Sequence, residues 1–194
     1  MDPTLPGLLQ AARLSIERPK DGARQILNLR LTAGEAGIGL ALMAVVSTLM
    51  AEVGNLISPL PAEPLVAAAF ATPFGLALLQ FGVMGSAAVM IRVLGRWAGG
   101  KGDFAGALVL VGWLQAILLL LQLLQLLAIL VVPAFVGPIG LLGLTLFGWL
   151  LTNFIAELHG FRSLGKVFLC ILAALLGFSL LLAIVLVFVF GVGV

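Results

Sequence analysis

Asn153-Phe-Ile-Ala-Glu-Leu-His-Gly-Phe-Arg-Ser-Leu-Gly-Lys166 is the polar island in the carboxyl-terminal half of this sequence. It separates two apolar runs, 139–158 and 167–190. Each run can cross the hydrocarbon core of a bilayer, which needs about 20 residues. Gly160 is placed to end one helix in the left-handed conformation, and Ser163 is placed to cap the next. The island therefore predicts a tight turn between two membrane-spanning helices.

The sequence as a whole is strongly apolar. Hydrophobic residues make up 62% of the 194 positions, charged residues make up 9%, and the mean hydropathy is +1.27. Soluble domains carry about 25% charge. We therefore predict an all-α polytopic membrane protein. The lone Cys170 lies inside the last apolar run, which excludes an intrachain disulfide or a cysteine-rich zinc site.

The first 31 residues predict a cytosolic amphipathic lead-in. Polar residues on one helical face, including Arg13 and Glu17, lie opposite an apolar face, which is typical of a helix along the membrane surface. A second, weaker helix is predicted from Pro19 or Asp21, with Arg24 toward water or lipid headgroups. The apolar face of the first helix consists of Leu5, Leu8, Leu9, Ala12 and Ile16.

Five spans are predicted after this lead-in, at about 33–57, 64–91, 104–132, 138–158 and 164–190. The first span begins with Thr32-Ala-Gly-Glu35, a capping box in which each of the two side chains accepts a hydrogen bond from the other residue's backbone N–H. Two interpretations of the second span stay open. Its helix either starts at Pro64 and is kinked at Pro73, or begins at Pro73 after a short interfacial helix.

The loop between the second and third spans carries Arg92, Arg96 and the run Gly99-Gly100-Lys101-Gly102-Asp103. A glycine-rich loop with a lysine suggests phosphate binding, but a P-loop also requires its own spacing, a Ser or Thr after the lysine and a preceding strand. None of these is present. We predict a tight turn in which Asp103 caps the third span.

Polar side chains also occur within the predicted spans. Gln115, Gln122 and Gln125 fall in one helical sector of the third span, while Asn153 and Glu157 share a face near the end of the fourth. Unpaired amides are costly in lipid, so this sector is expected to face other helices or a hydrated cavity. The side chains either form interhelical hydrogen bonds or line a polar seam between spans three and four.

Every Lys and Arg falls on one side of this topology. Five precede the first span, three lie between the second and third, and Arg162 and Lys166 lie between the fourth and fifth. The other side holds Glu52 and Glu63 and no basic residue. The positive-inside rule then places the amino terminus in the cytosol and the carboxyl terminus on the opposite side. Because the basic residues have this role, nucleic acid is not expected as a partner.

Glu157 and His159, the sole histidine, are expected to couple with basic residues of the loop from Arg92 to Lys101. Both turns lie on the same side, and a carboxylate at the membrane edge is better kept charged by a neighbouring cation. A serine protease would need a histidine base at membrane level, whereas His159 lies at the interface. One histidine and scattered acids also fall short of a metal site. We predict no enzymatic activity, metal or cofactor.

Several of these features together resemble the Yip domain family: the five spans, the lead-in with its turn at Pro19, the run from Gly99 to Phe104, and the segment from Glu157 to Lys166. The resemblance covers nearly the whole chain from Arg13 onward. It implies a five-span membrane protein of a family named for interaction with Rab-type GTPases and acting in vesicle traffic between ER and Golgi. The chain is similar to a short bacterial member in the cytoplasmic membrane. It lacks the long amino-terminal cytosolic region, which makes GTPase binding doubtful.

Two functions follow from this pattern. The favoured interpretation is a non-catalytic scaffold that associates with membrane lipids, with other membrane proteins or with itself, and acts in membrane organisation or trafficking-like processes. The alternative is a transporter or channel that moves a small solute, ion or lipid along the polar seam. The two differ in whether the polar side chains bond one another or line a path.

Overall fold

The computed structural model describes residues 4–58 and 72–190. Within these ranges the chain forms seven α-helices, with a 3-10 turn at Pro133–Phe135 before the sixth. In chain order the helices are α1 Leu5–Glu17, α2 Pro19–Leu27, α3 Ala33–Ile57, α4 Pro73–Trp97, α5 Phe104–Val131, α6 Val136–His159 and α7 Leu164–Phe190.

Four of these helices, α3 to α6, are long and apolar enough to cross a membrane, the last of them together with the 3-10 turn. Helix α7 adds a shorter apolar segment, Leu164–Leu180. This arrangement confirms the all-α polytopic architecture predicted from composition.

The helix boundaries predicted from capping residues are confirmed. Thr32 and Glu35 form the complete capping box at the start of α3. The Asp103 carboxylate accepts the Gly106 N–H at 3.0 Å and caps α5. Gly160 ends α6 in the left-handed conformation, with φ 74°. The Ser163 hydroxyl accepts the Lys166 N–H at 3.4 Å near the start of α7.

Helix α4 supports one of the two interpretations of the second span. Thr72 is extended, with φ −115° and ψ 141°, and its hydroxyl caps Gly75, so the helix begins at Pro73. The other predicted start, Pro64, lies outside the described residues. The helix also continues beyond the predicted end at 91 to Trp97. The two arginines in this stretch are good helix formers, and the first left-handed residue is Gly99, with φ 85°.

Helices α1 and α2 pack as a hairpin against the transmembrane helices. The buried face of α1 consists of Ala11, Ala12 and Ser15, and Gly22 of α2 lies directly on Ser15. Ala12, the small member of the predicted apolar face, belongs to this buried face, while the bulky members of the predicted face stay exposed. Small side chains allow helix backbones to approach closely, which explains why this face packs. The exposed members are Leu5, Leu8, Leu9 and Ile16.

The core lies at the end of the bundle that carries this hairpin, which we call the hairpin end. One cluster joins α3, α4 and α5 through residues such as Leu40, Ala88 and Ala107. A second cluster joins the hairpin, α5 and α6 through residues such as Ile117 and Phe154. Toward the opposite end the side chains of α5 and α6 are mostly exposed, and those of Leu123, Leu127, Leu130, Leu141 and Leu144 are examples.

Candidate functional site

The candidate site is the polar surface of the hairpin end, where helix α2, the loop 98–103 and the turn 160–163 meet. The Lys101 backbone N–H donates to the His159 carbonyl at 3.4 Å, which joins the loop to the end of α6. Helix α2 reaches the same region through its contacts with α6. The two turns predicted to share one side of the membrane therefore touch each other.

His159 is enclosed in a cradle of glycines. Its side chain is only 4% exposed, and its ring stacks on Phe161 with centroids 5.4 Å apart and planes 9° apart. Gly95, Gly100 and Gly102 lie so close to the ring that a Cβ at any of them would overlap it or Leu158 beside it. The glycines of this loop therefore admit the imidazole, in agreement with the tight turn predicted in place of a P-loop.

The imidazole has one satisfied nitrogen. His159 Nδ1 lies 3.2 Å from the Ile155 carbonyl oxygen, which only accepts, so Nδ1 is the donor of this hydrogen bond. Nε2 is buried and has no hydrogen-bond partner among the described residues. His159 thus meets the loop through packing and a backbone bond, and the expected pairing with a basic side chain is wrong. The reason is steric, because glycines surround the ring.

Glu157 pairs with the hairpin. Arg24 Nε and Nη2 donate to the two carboxylate oxygens at 2.6 and 3.2 Å, a two-pronged geometry that strengthens a charged hydrogen bond. The Glu157 side chain is 18% exposed and that of Arg24 is 61% exposed. The hydrogen bond to Glu157, and then its charge, raise the pKa of Arg24 above its usual value, so the arginine stays charged.

This pair corrects the predicted partners of Glu157. No ion pair joins its carboxylate to Arg92, Arg96 or Lys101 in the part of the chain that the structure describes. Helix α2 packs on α6 and brings Arg24 to the carboxylate from 133 residues away. The sequence pattern had placed Arg24 toward water or headgroups, because no local signal shows where a surface helix will dock.

The other predicted basic residues have separate surroundings. The Arg92 guanidinium lies 6.0 Å from the Phe104 ring centroid, within the range of a cation–π contact. Arg96, Arg162 and Lys166 are exposed side chains without an ion pair among the described residues. Two predicted residues do lie together, because Lys101 and Asp103 line one cavity of about 370 Å³ with Arg30.

The glutamine sector of α5 bonds to α3. Gln115 Nε2 donates to the Ser47 hydroxyl at 3.0 Å, and that hydroxyl donates to Gln122 Oε1 at 3.3 Å. Gln122 Nε2 donates in turn to the Ser47 carbonyl at 3.1 Å. These are interhelical hydrogen bonds, the first of the two interpretations. Sequence reasoning missed this role of Ser47, because nothing in the sequence distinguishes it from the neighbouring hydroxyl of Thr48 in the same apolar span.

The remaining members of the predicted seam make separate contacts, and of these Gln125 does lie between spans three and four. Gln125 Nε2 lies against Gly140 of α6. A methyl group added at this glycine would be 3.4 Å from the nitrogen. Asn153 is 3% exposed and donates from Nδ2 to the Trp149 carbonyl of its own helix at 2.8 Å. Among the described residues, the polar side chains of α5 and α6 therefore do not form the seam predicted between spans three and four.

A further polar contact, also missed from sequence, anchors helix α1. Trp113 Nε1 of α5 donates to the Ser15 hydroxyl at 2.9 Å, and this hydroxyl donates to the Ala11 carbonyl at 2.9 Å. Ser15 is fully buried. The only signal in the sequence was a serine one helical turn after two alanines on an amphipathic helix. This contact connects the hairpin to the transmembrane bundle.

The described residues hold no metal cluster, since no three His, Cys, Asp or Glu side chains converge within them. The acidic side chains and the imidazole near the site have other surroundings. The Asp103 carboxylate caps α5, the Glu157 carboxylate binds Arg24, and the free nitrogen of His159 faces glycine backbone.

Comparison with known proteins agrees with this architecture. The family model for the Yip1 domain matches residues 14–187, from within α1 to within α7, and so covers the end of α1, the whole of α2, the glycine cradle and helices α3 to α6. No curated protein and no solved structure matches the chain. The Yip1 domain is a family of non-enzymatic membrane proteins. A match over most of the chain shows membership, and this multi-pass membrane protein therefore belongs to the Yip1 domain family.

Proposed function

We propose that the protein is a non-catalytic membrane scaffold of the Yip type, which organises membranes by associating with lipids, with other membrane proteins or with itself. The observation that carries this proposal is the pairing of polar side chains inside the spans. Ser47 satisfies both Gln115 and Gln122 at the contact of α3 and α5. Groups that bond one another stabilise a helix bundle, whereas a solute path requires groups that are free to bind the solute.

The outer surface suits association. Helices α5 and α6 expose large apolar side chains, among them Leu130 and Leu144 at 64% and 68%. At the hairpin end, Leu5, Leu9 and Ile16 are exposed on α1, beside its buried face. An exposed apolar face on an amphipathic helix is suited to the boundary of headgroups and acyl chains, or to another membrane protein.

Reconstituted liposomes test the scaffold proposal in two measurements. Copies labelled with a donor or an acceptor dye are expected to show energy transfer above the level of random mixing, while ion and small-solute flux stays at that of protein-free liposomes. Gln122→Leu is expected to lower the free energy of unfolding by about 1 kcal/mol or less, the scale of hydrogen bonds between membrane helices. Protein-dependent flux that Gln122→Leu abolishes without a change in melting would instead establish transport.

We also propose that the hairpin end faces the cytosol, in a bacterial cytoplasmic membrane, because all ten Lys and Arg residues lie on one side of the chain's topology. In a Cys170→Ala background, cysteine at Lys101 or Ser163 is expected to resist an impermeant thiol reagent added to intact cells. Cysteine at Glu63 or after Val194, both outside the described residues, is expected to react. The reverse pattern, or a protected carboxyl terminus, would overturn the orientation.

A further inference from the structure

A cavity at the hairpin end has the composition of a ligand site. Its volume is about 370 Å³, within the range of small-molecule pockets, and it lies between the end of α2, the link that follows α2 and the start of α5. Its apolar wall includes Leu27, Val109 and Leu158. Its charged lining consists of Arg30, Lys101 and Asp103. One wall of the cavity is thus apolar and another is charged, so the cavity suits a ligand with an apolar part and a charged part.

The charged lining carries a net positive charge. Arg30 and Lys101 are exposed and form no ion pair among the described residues, so both cations are available to a ligand. The Asp103 carboxylate is already bonded to the Gly106 N–H. Two positive charges less one negative charge leave a net charge of +1 around the cavity.

The cavity also lies at the depth where the spans begin. Leu31, which lines it, directly precedes the Thr32 cap of α3, and Asp103 is itself the cap of α5. Val109 lies six residues beyond Asp103 along α5, so the apolar wall extends about 9 Å from that cap into the span, at 1.5 Å of rise per residue. The charged lining therefore sits at headgroup level and the apolar wall at the start of the acyl chains.

The backbone at Arg30 is unusual. Its φ of 50° makes it the one non-glycine residue with positive φ in the described ranges. Its N–H donates to the Leu27 carbonyl at 3.1 Å, which holds the end of α2 in this conformation. Left-handed backbone is costly for a side chain with a Cβ, and such residues cluster at binding sites.

We propose that this cavity binds the headgroup of a singly charged anionic glycerophospholipid. The phosphodiester lies between Arg30 and Lys101, and an acyl chain follows the apolar wall. The net charge of +1 matches a phosphodiester, whereas a phosphomonoester carries nearly two negative charges. Basic pockets between transmembrane helices bind anionic headgroups in this way. The site goes beyond the scaffold role and does not depend on it, because a transporter could hold the same lipid.

Native mass spectrometry of the full chain in detergent tests this site. Phosphatidylglycerol is expected to bind with a stoichiometry of one, and more tightly than phosphatidylcholine with the same acyl chains. If each cation contributes what a basic residue near a membrane surface contributes, Arg30→Gln/Lys101→Gln weakens phosphatidylglycerol binding about 30-fold. Lys101→Gln alone, which leaves the Arg30 backbone untouched, weakens it about fivefold.

The matched control is Arg162→Gln/Lys166→Gln, which removes the same charge from an exposed turn that does not line the cavity. It is expected to change phosphatidylglycerol affinity by less than about twofold, the residual effect of a distant, screened charge. An equal loss in this control would mean diffuse attraction and no site. If phosphatidylcholine binds with the same affinity as phosphatidylglycerol, binding does not depend on the net charge of the lipid, and the proposal is overturned. Glycerophosphoglycerol is the headgroup without acyl chains. If it binds as tightly as the lipid, the site is one for soluble anions and the lipid proposal is overturned.

Discussion

Gly95→Ala is expected to lower the free energy of unfolding by about 2–3 kcal/mol, near the upper end of the usual cost of overpacking a core. The added methyl group would overlap Nε2, Cδ2 and Cε1 of His159. The ring has little room to retreat, since Phe161 stacks on it and Gly100 and Gly102 close the cradle. Reversible unfolding in mixed detergent micelles, followed by far-UV circular dichroism, measures the loss.

Two companion variants isolate the cause. Gly85→Ala lies on the same helix with nothing within 4 Å of its added methyl group, so it is expected to leave stability unchanged or raise it by up to about 1 kcal/mol. In a His159→Ala background the ring is gone, and Gly95→Ala is expected to cost far less than in the native chain. If Gly95→Ala costs the same in both backgrounds, the ring is not what the glycine accommodates.

Gly22→Ala is expected to lower the free energy of unfolding by about 1–3 kcal/mol and to release helix α1 from the bundle. The methyl group would come within 2.6 Å of Ser15 Cα and 2.8 Å of Ser15 Cβ, so one helix backbone must move away from the other. That movement pulls Ser15 from Trp113 and breaks their 2.9 Å hydrogen bond. Amide hydrogen exchange is the measurement, and α1 is expected to lose protection before the spans do.

The control for this variant is Gly37→Ala in α3, where nothing lies within 4 Å of the added methyl group. It is expected to leave the exchange of α1 unchanged, because it does not touch the hairpin. If Gly22→Ala also left the α1 amides as protected as in the native chain, the close approach of α1 and α2 would not be what holds the hairpin on the bundle.

Local chemistry explains why the helix boundaries could be predicted. Thr32 and Glu35 are three residues apart, and Asp103 caps an N–H three residues ahead of it. Gly160 adopts a conformation that its own lack of a side chain permits. Each signal involves atoms within four positions along the chain, so no knowledge of the fold is needed to interpret it.

The same reasoning identified important side chains in the site but misassigned two of their partners. Glu157 was expected to need a cation and has one, but the cation is Arg24 of the hairpin and not a residue of the loop after α4. His159 was expected to meet that loop and does so, through glycines and a backbone bond, without a basic side chain. The need for a partner follows from burial of a polar group, whereas the partner's identity follows from which elements dock.

The sequence by itself therefore determined the membrane class, the helices and most of their ends, since composition and capping act locally. Only the tertiary structure decided that Ser47 bonds Gln115 and Gln122, that Arg24 reaches Glu157, and that glycines from α4 and its loop enclose His159. The physical reason is the solvent. Lipid is as apolar as leucine, so an apolar helix face gains little by packing on another helix in place of lipid. Which helices pack together is decided by close approach at small residues and by hydrogen bonds between polar groups. Both depend on atoms far apart in the chain.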